Sequence, residues 1–290
     1  MITAIPFRRD IERLRLVNNE AREPDRLRIH YDIEQALSAR LRASHQNERG
    51  SLYGQIYTEL FARLLDHPQH KKAPEQRRRN TASQVAFLRP SLSPSSVFVE
   101  VGCGDAAVTQ AVAAFVQEAI GIDVTPALVD HVAAPANFRF VQTGGTDLAL
   151  QTGSADLVYS NQLMEHLHPD DAKRQLEEIC RVLRPGGTYI CSTPSRLTGP
   201  HDISCYFGHE PSGLHLREYD HASLAAMFRD AGFRSARAQV SLKGRRLTLP
   251  VGPVSLVERL LLALPRAART RLMRLGPVRN LAGVVLIGQK

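Results

Sequence analysis

At 290 residues the chain is long enough for one full α/β domain and an appendage. Hydrophobic residues make up 43% and charged residues 23%, which excludes a disordered or fibrous chain, and no segment approaches the ~20 apolar residues of a membrane span. The net charge of +8 is unevenly laid out, with net +6 over residues 1–90, −9 over 91–233 and +11 over 234–290, so basic ends flank an acidic middle, as suits a nucleic acid, a membrane surface or an anionic substrate.

Residues 8–45 read as helical and highly charged, with Ile33, Leu37 and Leu41 recurring on one face. A second helix is expected over residues 52–65, ending before His67-Pro68 because proline disfavours helix in the residue before it. The basic run from Lys71-Lys72 to Arg77-Arg78-Arg79 reads as solvated, and residues 81–88 as a short helix. Tyr53 and Tyr57 lie one helical turn apart; packing residues and pocket wall are both open readings.

Val97 to Val101 is an apolar, β-branched run that predicts a buried strand. It turns through Gly102-Cys103-Gly104, and residues 108–116 read as a helix. A strand, a glycine turn and a helix N-terminus make a pocket lined with backbone N–H groups. A dinucleotide fold would favour G-x-G-x-x-G, but Ala107 holds the third position and Glu100 stands before the turn, where it would repel pyrophosphate. An ammonium or sulfonium ligand such as S-adenosylmethionine suits that charge. Asp123, in Gly121-Ile122-Asp123, follows at the spacing where an acid meets ribose hydroxyls; an acidic turn residue is the plainer alternative.

A helix over 126–133, a strand over 138–141 and a loop over 142–148 come next. Residues 155–160 read as a central strand ending at Asn161-Gln162, where α/β sheets bind ligands. A helix closes near Arg181–Gly187, and residues 188–192 form a further strand. The loop from Thr193 to Glu218 is long, and long loops in compact domains tend to be functional. Residues 223–230 read as a helix, 233–240 as a strand and 283–288 as the last strand. Between these, the basic segment 253–275 is amphipathic and should break at Pro265. The cysteines (103, 180, 191 and 205) form no C-x-x-C pair, so reduced thiols in a cytoplasmic protein are expected, and the N-terminus lacks the apolar core of a signal peptide.

Taken in order, Glu100-Val101-Gly102-Cys103-Gly104, Gly121-Ile122-Asp123, the stretch from Ala155 to His166, Arg181-Val182-Leu183-Arg184-Pro185-Gly186-Gly187 and Asp230-Ala231-Gly232-Phe233 resemble the class I S-adenosylmethionine-dependent methyltransferases. The resemblance implies an α/β fold, a Rossmann-like, seven-stranded, mostly parallel sheet with helices on both faces. It also implies an N-terminal helical extension or lid over 1–90 and a methyltransferase domain over 91–290. Glu100, Gly102, Cys103, Gly104, Asp123, Val124, Asp147, Asn161 and Gln162 are then the expected cofactor contacts. Relatives carry Gly-Asp where this chain has Thr143-Gly144, so the usual acid for the adenine amino group is missing, with Asp147 or backbone groups as its substitutes.

Asn161-Gln162-Leu163-Met164 does not match the (Asn or Asp)-Pro-Pro-aromatic tetrad of amine methyltransferases, which favours oxygen as the acceptor. His166 and His215 are the candidate bases. Some relatives bind a metal through Glu-x-x-Glu-His and a later histidine. Here Gln162 replaces the first acid, so no metal is expected. The expected acceptor is a small molecule, a glycan or a lipid-linked group, with peripheral association at an anionic membrane and nucleic acid less favoured. The rival readings are an RNA methyltransferase, a silent cofactor-binding scaffold and an NAD(P)-dependent dehydrogenase.

Overall fold

The computed structural model describes residues 5–68, 73–126, 128–129, 134–242 and 245–290. Four helices open the chain: α1 (Ile11–Val17), α2 (Pro24–Ala43), α3 (Gln46–Arg63) and α4 (Pro74–Leu88). The helical stretch expected over 8–45 is therefore two helices. The break falls where Asn19 takes a positive φ of 51° and Pro24 opens α2 at a position that needs no N–H donor. Ile33, Leu37 and Leu41 are all buried, as their spacing requires. α3 starts earlier than expected because His45 and Glu48 form a capping box. Lys71-Lys72 lies outside the described residues; Arg77, Arg78 and Arg79 are exposed on α4.

The rest of the chain is β1 (Val97–Val101), α5 (Ala107–Val112), β2 (Glu118–Asp123), β3 (Phe138–Gln142), β4 (Ala155–Asn161), α6 (Pro169–Val182), β5 (Leu183–Pro194), α7 (His221–Asp230), β6 (Ser235–Leu242), β7 (Arg245–Pro250), α8 (Val251–Ala263), α9 (Arg266–Leu272), α10 (Gly276–Arg279) and β8 (Gly283–Gln289). The strands form one sheet in the order β3-β2-β1-β4-β5-β8-β6-β7. The first five run parallel, and β8 is antiparallel to β5 and β6. The sheet has eight strands, one more than the family pattern. The addition is β7, a mostly exposed edge strand whose Arg245 and Arg246 blunt edge-to-edge pairing.

Alternation along β1 covers both faces. Val99 and Val101 join α3 and α6 in one buried cluster, whereas Phe98 packs with Val108 and Val112 of α5 on the other side. Ile33, Leu37, Leu52, Ile56 and Leu60 of the N-terminal helices belong to that first cluster, so they share a core with the sheet. Most of the helix expected over 126–133 lies outside the described residues. The turn at Pro185-Gly186-Gly187 is a bulge inside β5, where the register jumps from Leu183 opposite Ala155 to Thr188 opposite Leu157. Pro265 divides the basic segment into α8 and α9, as expected. Among the described residues no helix is long and apolar enough to cross a membrane.

α3 is fastened over the C-terminal ends of the strands. Arg49 makes a bidentate pair with Asp171 of α6, at 2.6 and 3.0 Å, and Tyr53 Oη donates to the same carboxylate at 2.8 Å. The Arg49 and Asp171 side chains are 4% and 1% exposed. The hydrogen bonds that Arg49 donates to Asp171 raise the Arg49 pKa against the pull of burial. Next to this pair, Gly50 and Gly144 touch backbone to backbone: a Cβ on Gly144 would sit 2.9 Å from Gly50 Cα. An aspartate cannot occupy position 144 under this helix, which accounts for the missing family acid.

Removing one member of a buried pair leaves the other charge uncompensated, at a cost of about 3–5 kcal/mol. Asp171→Ala should therefore lower the thermal midpoint sharply, and Arg49→Met with Asp171→Leu should recover most of the loss. Equal midpoints for wild type and Asp171→Ala, measured by calorimetry, would remove this pair as the fastening of α3.

Candidate active site

The turn after β1 uses two left-handed glycines, Gly102 at φ 73° and Gly104 at φ 54°. The N–H groups of Gly102 and Cys103 both bond Ile122 O, at 2.8 and 3.1 Å, which fixes the turn against β2. A Cβ on Gly102 would meet Leu163 at 2.9 Å, whereas one on Gly104 would meet nothing within 4 Å. Gly104 thus opens onto a cavity of about 170 Å³. Tyr53, Tyr57 and Phe61, spaced by four along α3, roof it. The two tyrosines fulfil both open readings, since Tyr53 is 2% exposed and bonded to Asp171 while still lining the cavity.

Asp123 and Val124, at the end of β2, form one wall. Asp123 is held by backbone N–H groups: Oδ2 accepts from Gly104 at 2.8 Å, and Oδ1 from Val124 at 2.7 Å and Thr125 at 3.3 Å. Burial raises its pKa, and these bonds oppose the shift. Gln162, Leu163 and His166 form the wall beyond β4; Gln162 sits at φ 56°, a sharp turn that any L side chain resists.

Four expected contacts are absent from the cavity wall among the described residues: Glu100, Cys103, Asp147 and Asn161. Glu100 shares the face of β1 that carries Phe98, so it points toward α5 and accepts a short bond from Thr109 Oγ1. Burial pushes its carboxyl up to about 8, so at neutral pH it is mostly the neutral acid. Cys103 is buried, and burial and Glu100 raise its thiol pKa. Asp147 is exposed and accepts from Ala149 N.

Gln175 of α6 lines the cavity without any local sequence signal. It is 1% exposed. Its Nε2 donates to Gly145 O at 2.5 Å, and its Oε1 is buried with no partner. Phe61 is another wall residue that sequence reasoning missed, although it continues the Tyr53, Tyr57 spacing.

His166 lies in a 3-10 turn, Met164–His166, directly after β4. Its Nδ1 pairs with Leu214 O at 3.0 Å. His215 packs edge-on behind it, with ring centroids 4.8 Å apart, and its Nδ1 pairs with Glu218 Oε1 at 3.0 Å. Both Nε2 atoms are without a protein partner among the described residues. Glu165 Oε2 accepts from Thr193 Oγ1 at 2.9 Å, and Oε1 is buried without a partner. Ligand-type atoms of Glu165, His166 and His215 lie within 4.8 Å of one another, close enough to hold a cation together.

Their protonation is divided. Burial and the neighbouring His215 push His166 down to about 3, so its imidazole is neutral at physiological pH. Burial pushes Glu165 up to about 7, with His215 and Thr193 opposing. For His215, burial favours the neutral ring, but the bond to Glu218 and the carboxylates of Glu165 and Asp202 outweigh it and raise the pKa.

A family model described as a methyltransferase domain matches residues 99–191, the stretch that holds the glycine turn, Asp123 and His166. Residues 99–191 carry a methyltransferase domain. The chain is 34% identical over 136 residues to a protein of Mycolicibacterium smegmatis described as a "Probable S-adenosylmethionine-dependent methyltransferase", covering 47% of this chain and 51% of that one. It is also 34% identical over 100 residues to the malonyl-[acyl-carrier protein] O-methyltransferase of Hahella chejuensis, covering 33% and 35%. Thus the chain spans about half or less of the curated relatives it matches. The solved Burkholderia thailandensis 1,6-didemethyltoxoflavin-N1-methyltransferase, with bound S-adenosylhomocysteine, shares the fold at a TM-score of 0.51 and 17% identity, covering 85% of this chain and 91% of that one. In this methyltransferase domain the open face of Gly104 and the orphaned Gln175 Oε1 are the features that fit a nucleoside cofactor.

The split between His166 and His215 is measurable by NMR. Across pH 5–8 the His166 ring resonance, assigned with His166→Gln, should stay at its neutral position, while His215 should titrate above the ordinary histidine value of 6.5. The unfolded chain binds the His166 proton near 6.5 and the folded chain only near 3. Stability should therefore fall as pH drops through that window, and fall less in His166→Gln. A His166 midpoint near 6.5 would show that the ring is solvated.

Proposed function

We propose that the chain transfers the methyl group of S-adenosylmethionine to an oxygen nucleophile. The observation that carries this reading is the position of His166, its Nδ1 tied to Leu214 O and its Nε2 unpartnered, on the wall of the glycine-turn cavity beyond β4. The bound cofactor supplies an electrophilic methyl on a sulfonium, and in-line placement of the two reactants accounts for much of such a displacement. Asp123, already oriented by three N–H bonds, accepts from the ribose hydroxyls. Gln175 Oε1 accepts from the adenine amino group, taking the place of the acid that Gly144 lacks. α3 acts as the lid that keeps water out.

His166 Nε2 accepts a hydrogen bond from the acceptor hydroxyl and takes its proton as methyl transfer turns that oxygen into a strongly acidic oxonium, and the Glu165 carboxylate balances the imidazolium formed. His215 and Glu218 hold the pair in place. The missing Asn-Pro-Pro tetrad and the O-methyltransferase named among the relatives favour oxygen over nitrogen. The orphaned Glu165 Oε1 favours one second reading, a cation held by Glu165, His166 and His215.

Calorimetry should detect S-adenosylhomocysteine binding and no NAD binding. Asp123→Ala and Gln175→Leu should each weaken binding by about 1–3 kcal/mol, as lost hydrogen bonds to buried or charged groups do. An unchanged dissociation constant would remove that residue from the cofactor. In single-turnover assays with hydroxyl acceptors, His166→Gln should slow transfer by ~10²–10⁴-fold. EDTA inhibition reversed by a divalent cation would replace the general-base reading with the cation one.

The acceptor is a small molecule, a glycan or a lipid-linked group. α8 supports the lipid reading. Val254, Ser255, Glu258 and Leu261 are buried, while Leu256, Val257, Leu260 and Leu264 form an exposed apolar stripe, flanked by exposed Arg259, Arg271 and Arg274. Such a face suits an anionic membrane surface, where leucines enter the acyl boundary and arginines meet headgroups. Co-sedimentation with anionic vesicles should weaken with salt and drop in Leu256→Ser/Leu260→Asp. Protein that stays in the supernatant at low salt would overturn the membrane contact.

A further inference from the structure

A second cavity, open and of about 870 Å³, lies between α2, the 193–218 loop and α9. Arg42, Arg196, Arg217, Arg266 and Arg269 line it, against the carboxylates of Glu210 and Glu218. Glu218 Oε1 is already taken, by His201 N at 2.6 Å and His215 Nδ1 at 3.0 Å. Arg196 pairs with Asp220 at 3.3 Å. The other four guanidiniums have no carboxylate partner among the described residues. Arg42 donates to Leu216 O at 3.0 Å, Arg266 to Gly199 O at 2.8 Å and Arg269 to Leu262 O at 3.5 Å, while Arg217 lies over the Tyr219 ring at 5.3 Å.

By contrast, Arg22, Arg26, Arg40 and Arg49 each find an acid, and here four guanidiniums without one face a single space. Burial pushes the Arg42 pKa down. Burial, with Arg8 and Arg269 nearby, does the same to Arg266. The charges have been gathered from opposite ends of the chain and left unneutralised around one space.

We propose that this cavity binds phosphate, and that it takes the phosphorylated end of the methyl acceptor. A single carboxylate would balance one of four free guanidiniums, whereas a pyrophosphate-sized anion matches more of the charge. Guanidinium forks also fit phosphate oxygens in pairs. The volume falls in the range of roughly 300–1,000 Å³ found for small-molecule sites, so it holds more than one phosphate group. Segment 214–218 separates the two cavities: Leu214 O holds His166 on one side, and Leu216, Arg217 and Glu218 line the other. Calling the occupant the acceptor rests on the methyltransferase reading; the phosphate site does not.

Pyrophosphate is the probe. Titrated into the full chain at low salt, it should bind saturably at one site per chain. Arg42→Gln/Arg266→Gln should weaken that binding at least tenfold and leave S-adenosylhomocysteine binding unchanged. Arg78→Gln/Arg79→Gln, on the exposed face of α4, should bind pyrophosphate as the wild type does. Unsaturable binding, an unaffected cavity variant, or equal loss in the α4 variant would each overturn the site. Loss of pyrophosphate binding to the cavity variant with no cofactor binding in any form of the protein would support the site and overturn the methyltransferase reading. Vesicles of phosphatidic acid distinguish the source. Weaker vesicle binding by the cavity variant supports the site with a lipid-borne phosphate, and unchanged vesicle binding beside tenfold weaker pyrophosphate binding supports it with a soluble one.

Discussion

The cavity next to the glycine turn depends on the buried pair between Arg49 and Asp171. Without it, α3 would be held against the sheet by the burial of Leu52, Ile56 and Leu60 alone, a contact that fixes no single orientation. The pair alone does not stabilise much, because two charges lose their hydration to make it. Its value is positional. The planar guanidinium accepts only certain approaches to a carboxylate, and Tyr53 locks the same carboxylate from a second direction. Tyr57 and Phe61 follow one and two turns along, so a single pair sets the roof of the cavity.

Hydration acts in the opposite sense on the groups buried around the cavity. Glu100, Glu165 and His166 are all deprived of water, and each moves toward its neutral form. At pH 7 residue types that suggest a dense cluster of charge give a neutral imidazole and two carboxyls at or below their midpoints. His215, one ring further back, is shifted the other way, toward its charged form, by Glu218 and the neighbouring carboxylates.

Much of this was legible in the sequence because it is local. Val97–Val101, the two glycines, Asp123 at the end of β2, and the break at Pro265 each follow from a few neighbouring residues, whereas the break before Pro24 was missed inside a stretch read as helical. Glu100 shows where locality fails. Its place before the turn suggested reach into the pocket, but alternation along β1 puts it on the Phe98 face, and only the packing of α5 reveals that this face is turned away. Gln175 gave no signal, since nothing in a helix sequence says which buried amide will be left with an empty acceptor. The eighth strand was hidden for another reason: Arg245–Pro250 is too polar to read as a strand until β6 offers it an edge. The basic segment divided its arginines in a way that composition could not show, Arg266 and Arg269 lining the open cavity and Arg259, Arg271 and Arg274 left exposed.

Gly50 and Gly144 carry an implication for how such proteins vary. Their contact is one of bare backbone, and it is one-sided: a Cβ on Gly144 would sit 2.9 Å from Gly50 Cα, whereas one on Gly50 would meet only Gly144 Cα, at an ordinary 3.9 Å. With α3 this close, position 144 has no room for an acid. Roof height and the side chain allowed after the third strand are then two settings of one dimension, read here at a single glycine.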